Sequence, residues 1–252
     1  MGNLVSIVTV VYNNASTIRD AIESVLSQNY PNIQYIVIDG GSTDGTLDIL
    51  HSYKDRIDIL ISEKDRGIYS AMNKGLARCE GEWTAMLNSD DVYADERVIS
   101  EVNAYFDKTG ADAVYGDLEY VAADNLNKIV RTWRSGNYDR EKFKFGWMPP
   151  HPSFYLRTKF YKRFGKFNEE MKISADYELM LRMLFKHKLT AVWLPRVLIK
   201  MRVGGISNGN LKRRLLANRE DKEAWRINHI TPFFFTLYLK PLRKIGQFFS
   251  FL

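Results

Sequence analysis

The sequence predicts an α/β fold with a mostly parallel central sheet and helices on both faces. Three observations predict it. Over the first hundred residues, short β-rich apolar runs alternate with stretches of helical periodicity. The connections between them are short. The opening run, VSIVTVV, is continuously β-rich rather than alternating, as a strand covered on both faces requires.

In chain order, Ile18, Ala21, Ile22, Val25 and Leu26 recur at helical spacing behind Ser16, a candidate N-cap. Tyr30-Pro31-Asn32 closes that helix. YIVID reads as a second strand, GGSTDG as its turn, and TLDILHSY as a short helix capped by Asp44; IDILIS is a third strand. Ile68, Met72, Leu76 and Cys79 share one helical face, WTAML is a fourth strand, and Val98, Val102, Tyr105 and Phe106 mark another helix. From residue 112 the pattern changes: DAVYGDLEYV and KIVRTWRSG read as shorter, antiparallel or mixed strands. Pro149, Pro150 and Pro152 break the chain around His151. A helix over 175–187, two strands (LTAVWL and VLIKMRV) and a charged helix over 209–228 follow.

A chain of 252 residues suffices for one large α/β domain with a small appendage. With 45% apolar and 26% charged residues it has an ordinary globular composition. The net charge of +6 suits an anionic partner, a nucleotide or a membrane surface alike. The single cysteine, Cys79, excludes an internal disulfide and points to a reducing, cytoplasmic compartment. No Cys/His cluster has zinc spacing. VSIVTVV is too short for a secretory segment, MGNLVS matches a myristoylation pattern only loosely, and no apolar run is long enough to span a bilayer.

Acidic residues follow three of the expected strands: Asp39, Asp65, and the pair Asp90-Asp91 in LNSDD. In a parallel sheet those strand ends share one edge, where ligands bind. Adjacent carboxylates at an emerging strand suit a hard divalent cation and the phosphates it holds. A polar turn leading into a helix is the plainer alternative. The turn DGGSTDGT is neither a dinucleotide fingerprint nor a Walker loop.

Four motifs, SIVTVVYNN, VIDGGSTDGT, EKDRGIYSAMNKG and LNSDD, occur in an order and spacing that resemble the family 2 glycosyltransferases. These are inverting enzymes of the nucleotide-sugar-binding GT-A fold. MPPHPSFYLR, ISADYELMLR and MRVGGISN are similar to that family less distinctively. The resemblance implies a GT-A domain over 1–208, with a nucleotide-binding half (1–110) and an acceptor-binding half (111–208). It implies nucleotide contacts at Thr9, Val11, Tyr12, Asp39, Asp65 and Asp90, and Mg²⁺ or Mn²⁺ on Asp91. It assigns the base to Asp176, with weaker diphosphate or acceptor roles for His151, Arg202, Ser207 and Lys74. Asn88 departs from the family pattern, which often carries Asp there, and removes one charge from the metal site. A UDP-sugar is the default donor. An inactive nucleotide-sugar- or carbohydrate-binding protein, or a nucleotidyltransferase on a similar core, are the alternatives. The latter lacks support in VVYNNAST, which has no Gly-rich basic loop.

Residues 209–252 form a basic, aromatic, helical tail. Leu242, Ile245, Phe248, Phe249 and Leu252 share a face, which suits an anionic membrane interface or docking onto protein, including a second subunit. A peripheral enzyme at the inner face of the cell membrane fits a glycan or lipid-linked acceptor; nucleic acid is not an expected partner.

Overall fold

In a computed structural model, which describes residues 2–204 and 211–242, nine strands join in one sheet. They are β1 (Val5–Val11), β2 (Ile33–Asp39), β3 (Ile59–Ser62), β4 (Trp83–Asn88), β5 (Asp91–Tyr93), β6 (Ala113–Ala122), β7 (Asn125–Trp133), β8 (Phe154–Arg157) and β9 (Ala191–Arg202). Their order is β3-β2-β1-β4-β8-β6-β9-β5, with β7 paired to β6 off this path. β1 is parallel to β2 and β4, β2 to β3, and β6 to β9. β8 runs antiparallel between β4 and β6. The helices are α1 (Ile18–Leu26), α2 (Thr46–Ser52), α3 (Ile68–Leu76), α4 (Val98–Thr109), α5 (Thr158–Phe164), α6 (Ala175–Met180), α7 (Leu211–Ile227) and α8 (Thr236–Leu242).

A core lies on each face of the sheet. Ile7 and Val37 pack with Ile18, Ile22, Val98 and Phe106 of α1 and α4 on one face. Val8 and Ile36 pack with Met72, Leu76, Leu179 and Trp225 of α3, α6 and α7 on the other. Alternate residues of β1 therefore feed two cores, which is why the strand carries no regular polar position. α7 belongs to this body: Ala224 and Trp225 are buried, and Trp225 Nε1 donates to the Tyr177 hydroxyl at 2.8 Å.

Four local expectations are corrected. Thr17, not Ser16, occupies the N-cap of α1, and its hydroxyl donates to the backbone oxygen of Ser89 instead of capping. Ile68 is 37% exposed although Met72, Leu76 and Cys79 are buried, because it opens α3 at the sheet edge. The helix over 175–187 is α-helical only to Met180 and continues as a π-helix, Leu181–Lys186. The two strands expected over 189–203 are one, β9. Its pairing with β6 jumps from Gly116–Leu194 to Asp117–Val197, so a bulge absorbs Pro195, which has no N–H for the ladder.

The register sets the site. Asp39 lies opposite both Val11 and Ser62, and Val10 opposite Asn88, so β3, β2, β1 and β4 all end at one edge.

Candidate active site

The loop after β2 is built around Asp39. Its buried carboxylate accepts hydrogen bonds from Gly41 N (3.1 Å), Ser42 N (3.1 Å), the Ser42 hydroxyl (2.5 Å) and the Ser62 hydroxyl (2.6 Å). Gly41 takes φ +83°, a left-handed conformation that glycine adopts without strain. A Cβ on Gly40 would stand 3.3 Å from the Tyr12 ring and 3.4 Å from Asp65 Oδ2, so glycine lets these two side chains close over the loop. The N-cap of α2 is Gly45 and not Asp44 as expected; Asp44, one residue earlier, accepts from Thr46 N at 3.0 Å and also from Ala15 N at 3.0 Å, which ties this turn to the loop after β1.

Tyr12 is 65% exposed beside Gly40, an open aromatic face at the sheet edge. The Asp65 side chain is largely buried, yet its Oδ2 has no hydrogen-bond partner within the protein. Lys74 forms ion pairs with Asp65 and with Glu63 (2.8 Å), so it neutralises the acidic turn. Val11 is buried, and its carbonyl accepts Gly40 N at 2.9 Å. Thr9 sits deeper than the sequence suggests: it is fully buried, and its hydroxyl accepts from Tyr35 at 3.1 Å within the core.

The LNSDD turn is anchored from the loop after β1. Asn14 Nδ2 donates to the Ser89 hydroxyl at 2.8 Å, and Thr17 to the Ser89 carbonyl at 2.8 Å. Asp91 is fully buried. Its Oδ2 accepts Asn88 Nδ2 at 3.0 Å, while its Oδ1 and Asn88 Oδ1 are buried without partners. Burial, then the neighbouring Asp90 charge, push the Asp91 carboxyl well above the usual carboxylate range. Burial also raises Asp90, against the opposing charge of Arg202. Arg202 is turned inward: Nη1 donates to the Asp90 carbonyl at 2.8 Å, and Nη2 pairs with Asp20. It therefore braces the acidic turn from β9 and is not displayed at the edge, as a phosphate ligand would be. Ser207 lies outside the described residues.

Unpartnered buried oxygens are costly unless something satisfies them. Two hard oxygen atoms, on Asn88 and Asp91, suit a hard divalent cation. Among the described residues no group of three or more His, Cys, Asp or Glu forms a metal cluster. The fit to such an ion rests instead on the Asp91 carboxylate and the Asn88 amide oxygen, since Mg²⁺ is commonly held by one or two carboxylates with phosphate oxygens and water.

Asp176, the second residue of α6, is half-buried, with its Oδ1 3.4 Å from the Tyr69 hydroxyl of α3. His151 is buried with its ring edge-on to Phe167 at 5.6 Å. Burial lowers its pKa, opposed by the Asp176 charge. Three contributors escaped sequence reasoning. Tyr69 donates to the Ile173 carbonyl at 2.6 Å. Asn73 brackets Phe167, accepting its N–H at 3.0 Å and donating to its carbonyl at 2.9 Å. Glu220 of α7 accepts the backbone N–H groups of residues 172–174. The segment before Asp176 is thus held by α3 and α7 together. Glycines and acids at strand ends drew attention in the sequence; a tyrosine and an asparagine one helical turn apart gave no comparable signal.

A groove of about 360 Å³ is lined by Asp20, Glu23, Tyr93, Asn127 and Lys200 among others, and by none of Asp39, Asp65, Asp90, Asp91 or Asp176.

A sheet edge of this kind, with acids after successive parallel strands, defines an α/β class of protein whose ligand site lies at the carboxyl ends of the strands. The sequence of residues 6–186 matches the model of Glycosyl transferase family 2, and the chain belongs to that family. It is 32% identical over 208 residues to an uncharacterized glycosyltransferase of Rickettsia typhi, covering 79% of this chain and 64% of that one. It is 34% identical over 141 residues to a Bacillus subtilis glycosyltransferase named for teichuronic acid biosynthesis, TuaG, covering 54% of this chain and 56% of that one. The chain thus spans less than two thirds of either relative's length. Its fold is similar to that of Staphylococcus aureus TarS 1–349 in complex with UDP-GlcNAc, with TM-score 0.71, 17% identity, and 98% of this chain and 73% of that one covered. It is also similar to the mannosyltransferase PcManGT of Pyrobaculum calidifontis in complex with GDP-Man and Mn²⁺, with TM-score 0.64, 16% identity, and 98% and 74% covered. These likenesses support the GT-A-type fold expected from the sequence.

Proposed function

We propose that the chain is a metal-dependent, inverting glycosyltransferase. It moves a sugar from a nucleotide-sugar, a UDP-sugar first, to a hydroxyl of a glycan or lipid-linked acceptor in surface polysaccharide synthesis. The observation that carries this reading is the acidic edge itself. There, buried Asp91 and Asp65 each keep an oxygen without a protein partner, and Asp65 and the exposed Tyr12 ring both flank Gly40. Tyr12 stacks on the base, and Asp65 Oδ2 accepts a hydrogen bond from base or ribose. Asp39 shapes the loop between them, and Asp90 contacts ribose or a metal-bound water. Asp91 and Asn88 would hold Mg²⁺ or Mn²⁺, and the ion would supply charge stabilisation for the departing diphosphate. Asp176 takes the proton from the acceptor hydroxyl as it attacks, and His151 is neutral in its buried site.

The mannosyltransferase solved with Mn²⁺ and the TarS complex with UDP-GlcNAc support the metal and donor classes. Phe234 and Tyr238, 89% and 74% exposed, support peripheral contact of the tail with an anionic membrane on the cytoplasmic side. No helix among the described residues is long and apolar enough to cross a membrane.

Release of nucleoside diphosphate from a panel of UDP-, GDP- and TDP-sugars, with acceptor present and with or without chelator, tests the reading. Asp176→Asn should keep donor binding and lose about 10²-fold or more of turnover, the scale of a general base. Donor affinity without turnover in the wild type would instead mark an inactive binding protein.

A further inference from the structure

We propose that Glu220 is a positioning residue that sets where Asp176 enters the site. This rests on Asp176 being the base. Glu220 is buried on α7, and its carboxylate collects three consecutive backbone N–H groups: Lys172 N on Oε1, and Ile173 N and Ser174 N on Oε2, each at 2.9 Å. Consecutive N–H groups converging on an anion form a nest. Hydrogen bonds to an ionised acceptor are roughly twice as strong as neutral ones.

The nest ends at Ser174, the N-cap of α6, and Asp176 is two residues further on. Ser174 makes no side-chain cap bond; its hydroxyl instead contacts the Ala217 carbonyl of α7 at 3.4 Å. The start of α6 is therefore defined by Glu220 rather than by a local cap. From the opposite side, Tyr69 grips the Ile173 carbonyl at 2.6 Å. With both grips in place, residues 172–174 have one backbone path, and the first turn of α6 can present the Asp176 carboxylate in one direction. Glu220 touches no reacting atom in this account. It acts through Asp176.

Glu220→Gln preserves volume but turns one acceptor oxygen into an NH₂ group, so at least one of the three N–H groups meets a donor. The full chain, E220Q, Glu220→Asp, D176N and the E220Q/D176N double variant are compared in two measurements. One is amide exchange across residues 172–176; the other is UDP release from UDP-N-acetylglucosamine with Mn²⁺ as the probe. E220Q should exchange these amides faster. It should also lose about 10–100-fold in kcat, with donor KM within about twofold, the scale of a misplaced catalytic group. E220Q should add little to D176N, and Glu220→Asp, which keeps the charge and both oxygens, should recover part of kcat. If E220Q does not fold, Glu220→Asp carries the same readouts at smaller amplitude. Unchanged exchange overturns the proposal whatever the turnover. Faster exchange with wild-type kcat, additive losses in the double variant, or Glu220→Asp no better than E220Q overturn it as well. Wild-type turnover by D176N would remove the base itself, a failure visible without any Glu220 variant.

Discussion

At the residue scale, burial decides what each acid and base of the site does. Asp91 is a fully buried carboxylate with an unpartnered oxygen, an arrangement that a cation resolves. Asp91→Asn should remove the saturable Mn²⁺ dependence of diphosphate release. It should cost about 10²-fold or more in turnover, since a metal supplies several kcal/mol to such a transition state. A wild-type metal titration curve from that variant would remove Asp91 as ligand. His151 gives a pH dependence of known sign. Burial lowers its folded pKa, so the fold holds it neutral while the unfolded chain titrates near about 6.5. As pH falls below that value the unfolded state gains a proton that the folded state refuses. Stability contributed by neutral His151 is thus present above about pH 6.5 and lost on acidification until the lower, folded pKa is passed. Between about pH 7.5 and about pH 5 the urea midpoint should fall less in His151→Asn than in the wild type. Equal falls in both proteins would show that other groups carry the whole acid loss.

At the scale of elements, α3 is the part on which both halves of the site depend. It carries Tyr69, Asn73 and Lys74, and it lies against β1 at Gly75, where a Cβ would run into Val8 Cγ1. Val8 is 1% exposed and β-branched, with little rotamer freedom to yield. Overpacking of that kind costs about 1–3 kcal/mol. The gain in helix propensity from glycine to alanine is at most about 1 kcal/mol. Gly75→Ala should therefore be net destabilising by about 1–2 kcal/mol in urea unfolding; a more stable variant would mean that α3 can lift from β1 freely. The strands that begin the fold were legible because a doubly covered strand is mostly apolar with no polar alternation, as β1 and β2 are, their few polar residues being buried. β5, three residues long, and β8, four residues following a proline-framed loop, were not read as strands. They are too short for any period and owe their pairing to β9, β4 and β6. The continuity of β9 through Pro195 was hidden because proline ordinarily ends a central strand. In the site, strand-end acids were visible from their positions alone. The partners that hold Asp176, and the inward turn of Arg202 onto Asp20, join residues remote in sequence and leave no local pattern.

At the scale of the whole molecule, the described part of the C-terminal segment, which ends before Ile245, Phe248, Phe249 and Leu252 of the expected tail face, divides into residues that pack and residues that are displayed. Trp225 and Ala224 are in the core, Thr236 is buried with its hydroxyl donating to the Lys144 carbonyl at 2.6 Å, and Lys240 pairs with Asp221 at 2.6 Å. Phe145, Phe233 and Phe235 cluster with ring centroids 5.2 to 6.0 Å apart, a partly exposed aromatic ridge. Phe234 and Tyr238 project beyond it, 89% and 74% exposed. Deleting residues 231–252 would therefore strip internal contacts along with any membrane contact, and a loss of liposome binding would have two explanations. Substituting only the displayed rings separates them. Aromatic rings in an interfacial layer bind through buried apolar area, at about 25 cal/mol per Å². Phe234→Ser with Tyr238→Ser should thus weaken flotation on anionic vesicles about tenfold or more while leaving the thermal midpoint within about 2 °C, as expected for surface positions. Flotation unchanged by the pair, with the same midpoint, would mean that these rings do not hold the protein to the lipid.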